Sequence, residues 1–507
     1  MNRRPPLRRL LSVALFALLG VGCATTPAAP PAPTFDDRMR DVTSPPPFDG
    51  IHWGILVMDA ATGEALYEHN AHRRFAPASN MKIAVSAAAL GLLGPDYRWE
   101  TAFYAADEPA NGLLFGDLHL AGSGDPSLGA PWHDPPERAV EALADSLRAA
   151  GVREVQGSLI LDVAAWDSTT VPSAWLVGNL PGRSAATGGA FSIRTGELEV
   201  RVTGGSQVGD PARVDWSPRG RGEFVEAWVT TVAPDGESDL RSGFFPESRR
   251  WLIEGEIRPG ETRTLTLAQR DPVRLALDVL SRTLEERGMS FRGEPVIHWE
   301  RERAVFGRAC MSGELPTCPA ARRIAALQSP PLSEVVREIL EPSQNWITEQ
   351  LVRTIGAELG EEGSWEEGFE LIRRYLVEAA GVSPWDLHFR DGSGLSGYNL
   401  LTPRAIVGIL DHAARQPWGP AFRAAMAEPS KEDTTLSGRL EGMEGRVFAK
   451  TGTISHANAL SGYLIADDGR EILFSILTNT TNLPATRVRP AMDELVREIA
   501  REFVRIE

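Results

Sequence analysis

The chain is poor in cysteine. Three stand among 507 residues, at 23, 310 and 318. Nine histidines are present, but no pair of them and no His/Cys cluster has metal-ligand spacing, so no metal is expected. No glycine-rich phosphate loop follows a strand, and no cofactor is expected. An excess of positive charge is also lacking. The net charge of −16 argues against nucleic acid as a partner. Hydrophobic content is ordinary for a globular protein, and 507 residues are enough for several domains with substantial cores.

Three short motifs lie far apart in one order: Ser79-Asn80-Met81-Lys82, Ser343-Gln344-Asn345 and Lys450-Thr451-Gly452-Thr453. They spell S-x-x-K, S-x-N and K-T-G. In the first, Pro77-Ala78-Ser79 ends a loop, and Met81 to Leu90 reads as a buried, alanine-rich helix. Ser79 therefore stands at a helix N-terminus, where free N–H groups and the dipole favour developing negative charge. Lys82 follows one turn later on the same face. A serine hydroxyl needs a base to become a nucleophile. A lysine supplies one only where burial or neighbouring cations leave some of it neutral. The bland alternative is an N-cap serine with a surface lysine.

In the second motif, Pro342 marks a turn before a helical stretch from Trp346 to Gly356. Ser343 is a candidate proton carrier and Asn345 a candidate holder of a substrate carbonyl. An N-cap serine is the alternative. The third motif lies in an alternating segment, Arg446 to Thr453, that reads as a strand. Further strands follow from Ala459 to Ile465 and Glu471 to Leu477, with an Asp467-Asp468-Gly469 turn between them. Gly452 leaves room for a substrate backbone. Lys450 and Thr451 can bind a carboxylate, and the backbone N–H groups of Thr453 and Ser79 can form an oxyanion hole. A polar edge strand is the alternative. His456, just beyond, is a minor candidate for substrate contact.

The set, its order and its surroundings resemble the D-alanyl-D-alanine carboxypeptidase/endopeptidase family, the class C low-molecular-mass penicillin-binding proteins. Asp391-Gly392-Ser393-Gly394-Leu395-Ser396, followed by Asn399-Leu400-Leu401-Thr402-Pro403, is similar to a signature of that family. So are the Gly-Asp-Pro segment Leu120 to Leu128, Glu256 to Gly260, and Arg270-Asp271-Pro272. The resemblance runs from about Gly50 to about the C-terminus. It implies an α/β (α+β) fold: a discontinuous penicillin-recognising transpeptidase/β-lactamase-like domain with a large strand-rich insert of one or two extra domains. It also implies hydrolysis of peptidoglycan stem peptides through an acyl-enzyme on Ser79. Lys82 would be the base, Ser343, Asn345 and Lys450 would assist, and Thr451, Gly452 and Thr453 would bind substrate. β-Lactams are expected to acylate the same serine. A β-lactamase or esterase on the same core, and a non-catalytic wall-binding lipoprotein, are the alternatives.

Ser79 and Ser343 are 264 residues apart, and the insert lies between them. The expected parts are a signal over 1–23, a Pro/Ala-rich tether over 24–46, and the catalytic domain over 47–104 and 322–507. The insert covers 105–321, with a nested domain at about 205–268. Within it Gly157 to Val163 and Leu198 to Thr203 read as strands, and Arg270 to Gly288 as an amphipathic helix. Two positions depart from the family pattern. Gly397 stands where an arginine is common, and Trp175-Leu176-Val177-Gly178-Asn179 lacks an acidic residue often found there. Both family residues serve the diaminopimelate side chain, so side-chain recognition is expected to differ.

At the N-terminus, Arg3, Arg4, Arg8 and Arg9 precede the apolar run Leu10 to Val21, and Leu19 to Cys23 resembles a lipoprotein signal. Export to the periplasm is expected, with Cys23 lipidated and the chain anchored to the membrane, or with plain secretion as the alternative. Cys310 and Cys318 flank a short loop. An exported chain meets an oxidising compartment, so a disulfide or two free thiols both stand open. Neither cysteine has the setting of a catalyst.

Overall fold

The computed structural model describes residues 33–219, 224–245, 250–300 and 321–504. The export segment with Cys23, and Cys310 and Cys318, lie outside the described residues.

Both ends of the chain build one antiparallel sheet. Its strands run in the order Val447–Ile454, Ala457–Ile465, Glu471–Asn479, His52–Asp59 and Ala65–His69. Alternation along each strand gives the sheet two apolar faces. Trp53, Ile55, Val57, Phe474 and Ile476 face one side. There the C-terminal helix Ala485–Phe503 covers them with Val488, Met492, Leu495, Val496 and Ile499. Leu56, Leu473 and Leu477 face the other side, against a helical lobe. The lobe includes Met81–Leu93, Leu332–Leu340, Asn345–Leu359, Trp365–Glu378 and Pro403–Ala414.

The boundary of the tether differs from expectation. Residues assigned to the tether form the helix Phe35–Thr43, capped by a reciprocal Thr34/Asp37 box. Met39 is fully buried against the C-terminal helix, and Arg38 bonds Glu498 there at 2.8 Å. The proline-rich run before it masked this short amphipathic helix.

The insert departs from the core where two passages of chain run side by side. Ser329 N–H donates to Trp99 O at 3.0 Å, and Trp99 N–H to Ser329 Oγ at 3.0 Å. The flanking strands Glu100–Ala105 and Arg322–Gln328 already belong to the insert. With Leu118–Ala121, Leu159–Asp162 and Val296–His298 they form its five-stranded sheet. Helices Arg138–Ala149 and Pro272–Glu286 contribute to its core. Asp271 caps the second of these by accepting from Arg274 N–H, and Pro272 takes the first turn. Two three-stranded sheets enclose a separate apolar core that includes Leu198, Val200, Val229, Trp251 and Ile253. This unit runs from Glu197 to Ala268 and includes a strand that precedes the expected start.

Candidate active site

The three motifs converge. A 3-10 turn, Ala78–Asn80, leads into the helix Met81–Leu93. Ala78 has φ of +46°, a strained value for a residue with a side chain. The turn is held from both sides. Asn80 Nδ2 donates to Lys450 O at 3.1 Å. On the other side a Cβ at Gly394 would lie 1.8 Å from Ala78 O, so only glycine fits there.

Lys82 is fully buried. Its Nζ lies 3.0 Å from Ser79 Oγ, 2.7 Å from Asn345 Oδ1 and 2.7 Å from Ser393 O. Burial holds its pKa down to about 7, against the opposing charges of Glu349 and Asp391. The Ser393 carbonyl and the Asn345 amide oxygen can only accept, so each takes an N–H of Nζ. The Ser79 hydroxyl accepts the third N–H of an ammonium, and it is the one neighbour that can instead donate to the lone pair when the amine is neutral.

Asn345 opens the helix Asn345–Leu359, which Gln344 caps by accepting from Trp346 N–H. The cap is therefore Gln344, not Ser343. Ser343 sits just before it with φ of +68°, again a strained backbone at the site. Asn345 Nδ2 donates to Ser184 O at 2.8 Å. The amide expected to hold a substrate carbonyl is thus engaged with Lys82 and the insert in this state.

Lys450 lies on the strand Val447–Ile454, also fully buried, with Nζ donating to Thr451 O at 2.9 Å. Burial, with Lys82 nearby, pushes its pKa well below the usual lysine range. Ala449 N–H donates to Ala427 O on the strand's outer edge. By the two-residue period, Thr451 and Thr453 turn their N–H groups to that same edge. A Cβ at Gly452 would come within 2.9 Å of Pro77 O and 3.0 Å of Ser79 N. The room that glycine leaves is therefore filled by the serine turn itself. Arg489, from the C-terminal helix, donates to Thr453 Oγ1 at 3.3 Å.

The run Asp391 to Ser396 is the centre of this packing. Asp391 is fully buried and accepts from Trp175 Nε1, Gly394 N–H, Ser396 N–H and Asn399 Nδ2. Ser396 Oγ donates to Ala174 O at 3.1 Å. The insert therefore touches the site at Ala174, Trp175 and Ser184. Leu176 and Val177 beside them are exposed, and the His456 ring lies where a Cβ on Gly397 would come within 2.9 Å of it. A cleft of about 650 Å³ lined by Asp167, Trp365, Phe369 and Arg390 lies elsewhere, and none of the three motifs lines it.

Sequence reasoning missed Glu349, Ser184 and Arg489. Ser184 acts through a backbone carbonyl, which carries no sequence signal. One available signal was the scarcity of lysine: it occurs only at 82, 431 and 450. Arginine cannot lose its proton in a protein, so it cannot replace lysine where a neutral amine is needed. Two of the three lysines are the buried pair at this site.

Comparison with known proteins agrees. Residues 37–499 match the D-Ala-D-Ala carboxypeptidase 3 (S13) family. The D-alanyl-D-alanine carboxypeptidase of Actinomadura sp. (strain R39) is 31% identical over 455 residues, covering 87% of this chain and 80% of that one. The D-alanyl-D-alanine carboxypeptidase DacB of Haemophilus influenzae is 21% identical, over 93% of this chain and 95% of its own. The crystal structure of penicillin binding protein 4 (dacB) from H. influenzae superposes with a TM-score of 0.76 at 20% identity, covering 92% of this chain and 98% of that one. The fold is that of the penicillin-recognising enzymes, and the chain belongs to the D-Ala-D-Ala carboxypeptidase (S13) family of serine peptidases.

Proposed function

We propose that Ser79 is the nucleophile of a D-Ala-D-Ala carboxypeptidase and endopeptidase acting on peptidoglycan stem peptides. The observation that carries this is the Lys82 amine, buried, with its pKa brought down to about 7 and 3.0 Å from the Ser79 hydroxyl. Lys82 takes the Ser79 proton as the oxygen attacks the carbonyl of the penultimate D-Ala. The N–H groups of Ser79 and Thr453 hold the tetrahedral oxyanion. Ser343 and Lys450 return a proton to the leaving amine. That amine is D-Ala, or the side-chain amine of a neighbouring stem peptide. Water then releases the acyl-enzyme. Thr451 and Thr453 receive the substrate's C-terminal carboxylate, and Arg489 adds a cation beside them.

Leu176 and Val177 are exposed and uncharged, and Gly397 carries no side chain where the family pattern has an arginine. This supports tolerance of a stem-peptide side chain without a free charged end. β-Lactams acylate Ser79, and a β-lactam complex has been solved for the H. influenzae relative. The N-terminal sequence supports export, with Cys23 as the lipid-bearing residue. Mass spectrometry of the mature N-terminus, with Cys23→Ser as control, tests the anchor.

The activity is tested with pentapeptide muropeptides and cross-linked dimers, incubated with wild type and Ser79→Ala. Wild type should release D-Ala or convert dimer to monomer, and the variant neither. Activity retained by the variant removes Ser79 from its role. Rapid turnover of a chromogenic cephalosporin would favour a β-lactamase instead. Wall binding by an inert wild type would favour a scaffold.

A further inference from the structure

We propose that Glu349 is a positioning residue for acylation: it fixes the Gly392–Ser393 peptide so that the Ser393 carbonyl, together with Asn345, aims the Lys82 lone pair at Ser79. The inference rests on the roles given to Ser79 and Lys82 above.

Glu349 stands one turn after Asn345 on the same helix, so the two share a face. Asn345 reaches Lys82 directly. Glu349 reaches it through the loop. Its Oε1 accepts from Ser393 N–H at 2.8 Å. Its Oε2 accepts from Gly392 N–H at 3.0 Å and from Trp365 Nε1 at 2.8 Å. The Ser393 carbonyl, part of the same short run, accepts from Lys82 Nζ at 2.7 Å.

All three partners of Glu349 are donors, and they occupy both of its oxygens. An ionised carboxylate accepts from all three with no proton of its own to place, whereas a protonated one would set an O–H among donors. A glutamine would set its own NH₂ against one of these N–H groups. The loop also cannot settle elsewhere. A Cβ on Gly392 would lie 2.6 Å from Val352 Cγ2, and one on Gly394 would strike Ala78 O. The loop is therefore pressed between the Asn345 helix and the serine turn, and Glu349 sets how far its carbonyl turns toward Lys82.

Glu349 also acts through charge. The charged groups near it are Asp391 on the loop, Lys82 on the nucleophile helix with Lys450 behind it, and Arg353 one turn on along its own helix. Burial and Asp391 push the Glu349 pKa up, and the N–H donors oppose them. Its negative charge in turn raises the Lys82 pKa.

A merely structural carboxylate and a positioning one differ in the pH profile. The rate of covalent capture by a β-lactam is measured against pH for wild type, Glu349→Gln and Trp365→Phe, counting only protein that titrates as active. In Glu349→Gln the plateau rate should fall by about 10- to 100-fold through misorientation. The acid limb should move to lower pH, because Lys82 loses a negative neighbour. Trp365→Phe removes one donor. Glu349 then takes up a proton more readily, and both effects appear in the same direction but smaller. If Glu349→Gln does not fold, Trp365→Phe decides. An unmoved limb, or a loss confined to the active fraction, overturns the inference while the serine mechanism stands. A wild type that is not acylated at all overturns both.

Discussion

The Asn80 side chain donates to the Lys450 carbonyl at 3.1 Å and so ties the serine turn to the strand that carries the third motif. Both residues are fully buried. Asn80→Ala removes this bond, while the carbonyl keeps its place in the ladder opposite Ser461, at a cost of about 0.5–1.5 kcal/mol. It also loosens Ser79 against Thr453, the two residues proposed to hold the oxyanion. Denaturant unfolding and the β-lactam acylation rate should both fall, the rate by about tenfold or more. If neither changes, this bond does not hold the site together.

With Lys82 as the proposed base, its pKa of about 7 predicts an acid limb on catalysis. Acylation should decline below about pH 7 as the amine gains a proton. The same shift has a thermodynamic consequence. Unfolded, Lys82 keeps its proton up to its ordinary range near 10.5, but folded it releases it near 7. Between these values the unfolded chain binds more protons, so raising the pH favours the fold by at most about 1.4 kcal/mol per unit from this group. Below about pH 7 that gain is absent. Lys82→Met lacks the effect. Wild type should therefore gain stability relative to the variant as pH rises from 7 to 9 in urea titrations. Parallel curves would contradict a neutral buried amine.

Lys82→Arg tests the need for a neutral amine more directly than truncation does. Arginine keeps the positive charge and cannot act as a base. Acylation should fall by about 10²- to 10⁴-fold. A rate near wild type would mean that Lys82 serves only as a charge.

Much of this was legible in sequence, and the reason is local. Ser79 and Lys82 share a helix face, Lys450 to Thr453 alternates as a strand, and Met492, Leu495, Val496 and Ile499 mark a helix face by their spacing. What stayed hidden depends on contacts between distant segments. Glu349 reads as an ordinary helix residue until the Asp391 loop folds onto it. Gly392 and Gly394 read as a family signature, and only packing shows that a Cβ at either would clash. The helix Phe35–Thr43 is polar enough to pass for linker, since few of its residues are buried. Its place is given by the C-terminal helix on which it packs.

The insert is clamped to the core by Arg353, which is 1% exposed. Its guanidinium lies between Trp166 and Trp365, 4.8 and 4.6 Å from their rings, and bonds Asp167 Oδ1 at 2.7 Å. Arg353→Ala leaves Asp167 without its cation and opens the stack. A loss of about 3–5 kcal/mol is expected in denaturant unfolding. A loss below about 1 kcal/mol would show that this clamp is dispensable.

The most direct measurement is intact-mass spectrometry of the full chain after exposure to penicillin, followed by peptide mapping. Wild type should gain the mass of one opened β-lactam on the peptide that contains Ser79, and Ser79→Ala should gain none. An adduct on another residue, or an adduct retained by Ser79→Ala, would contradict the account.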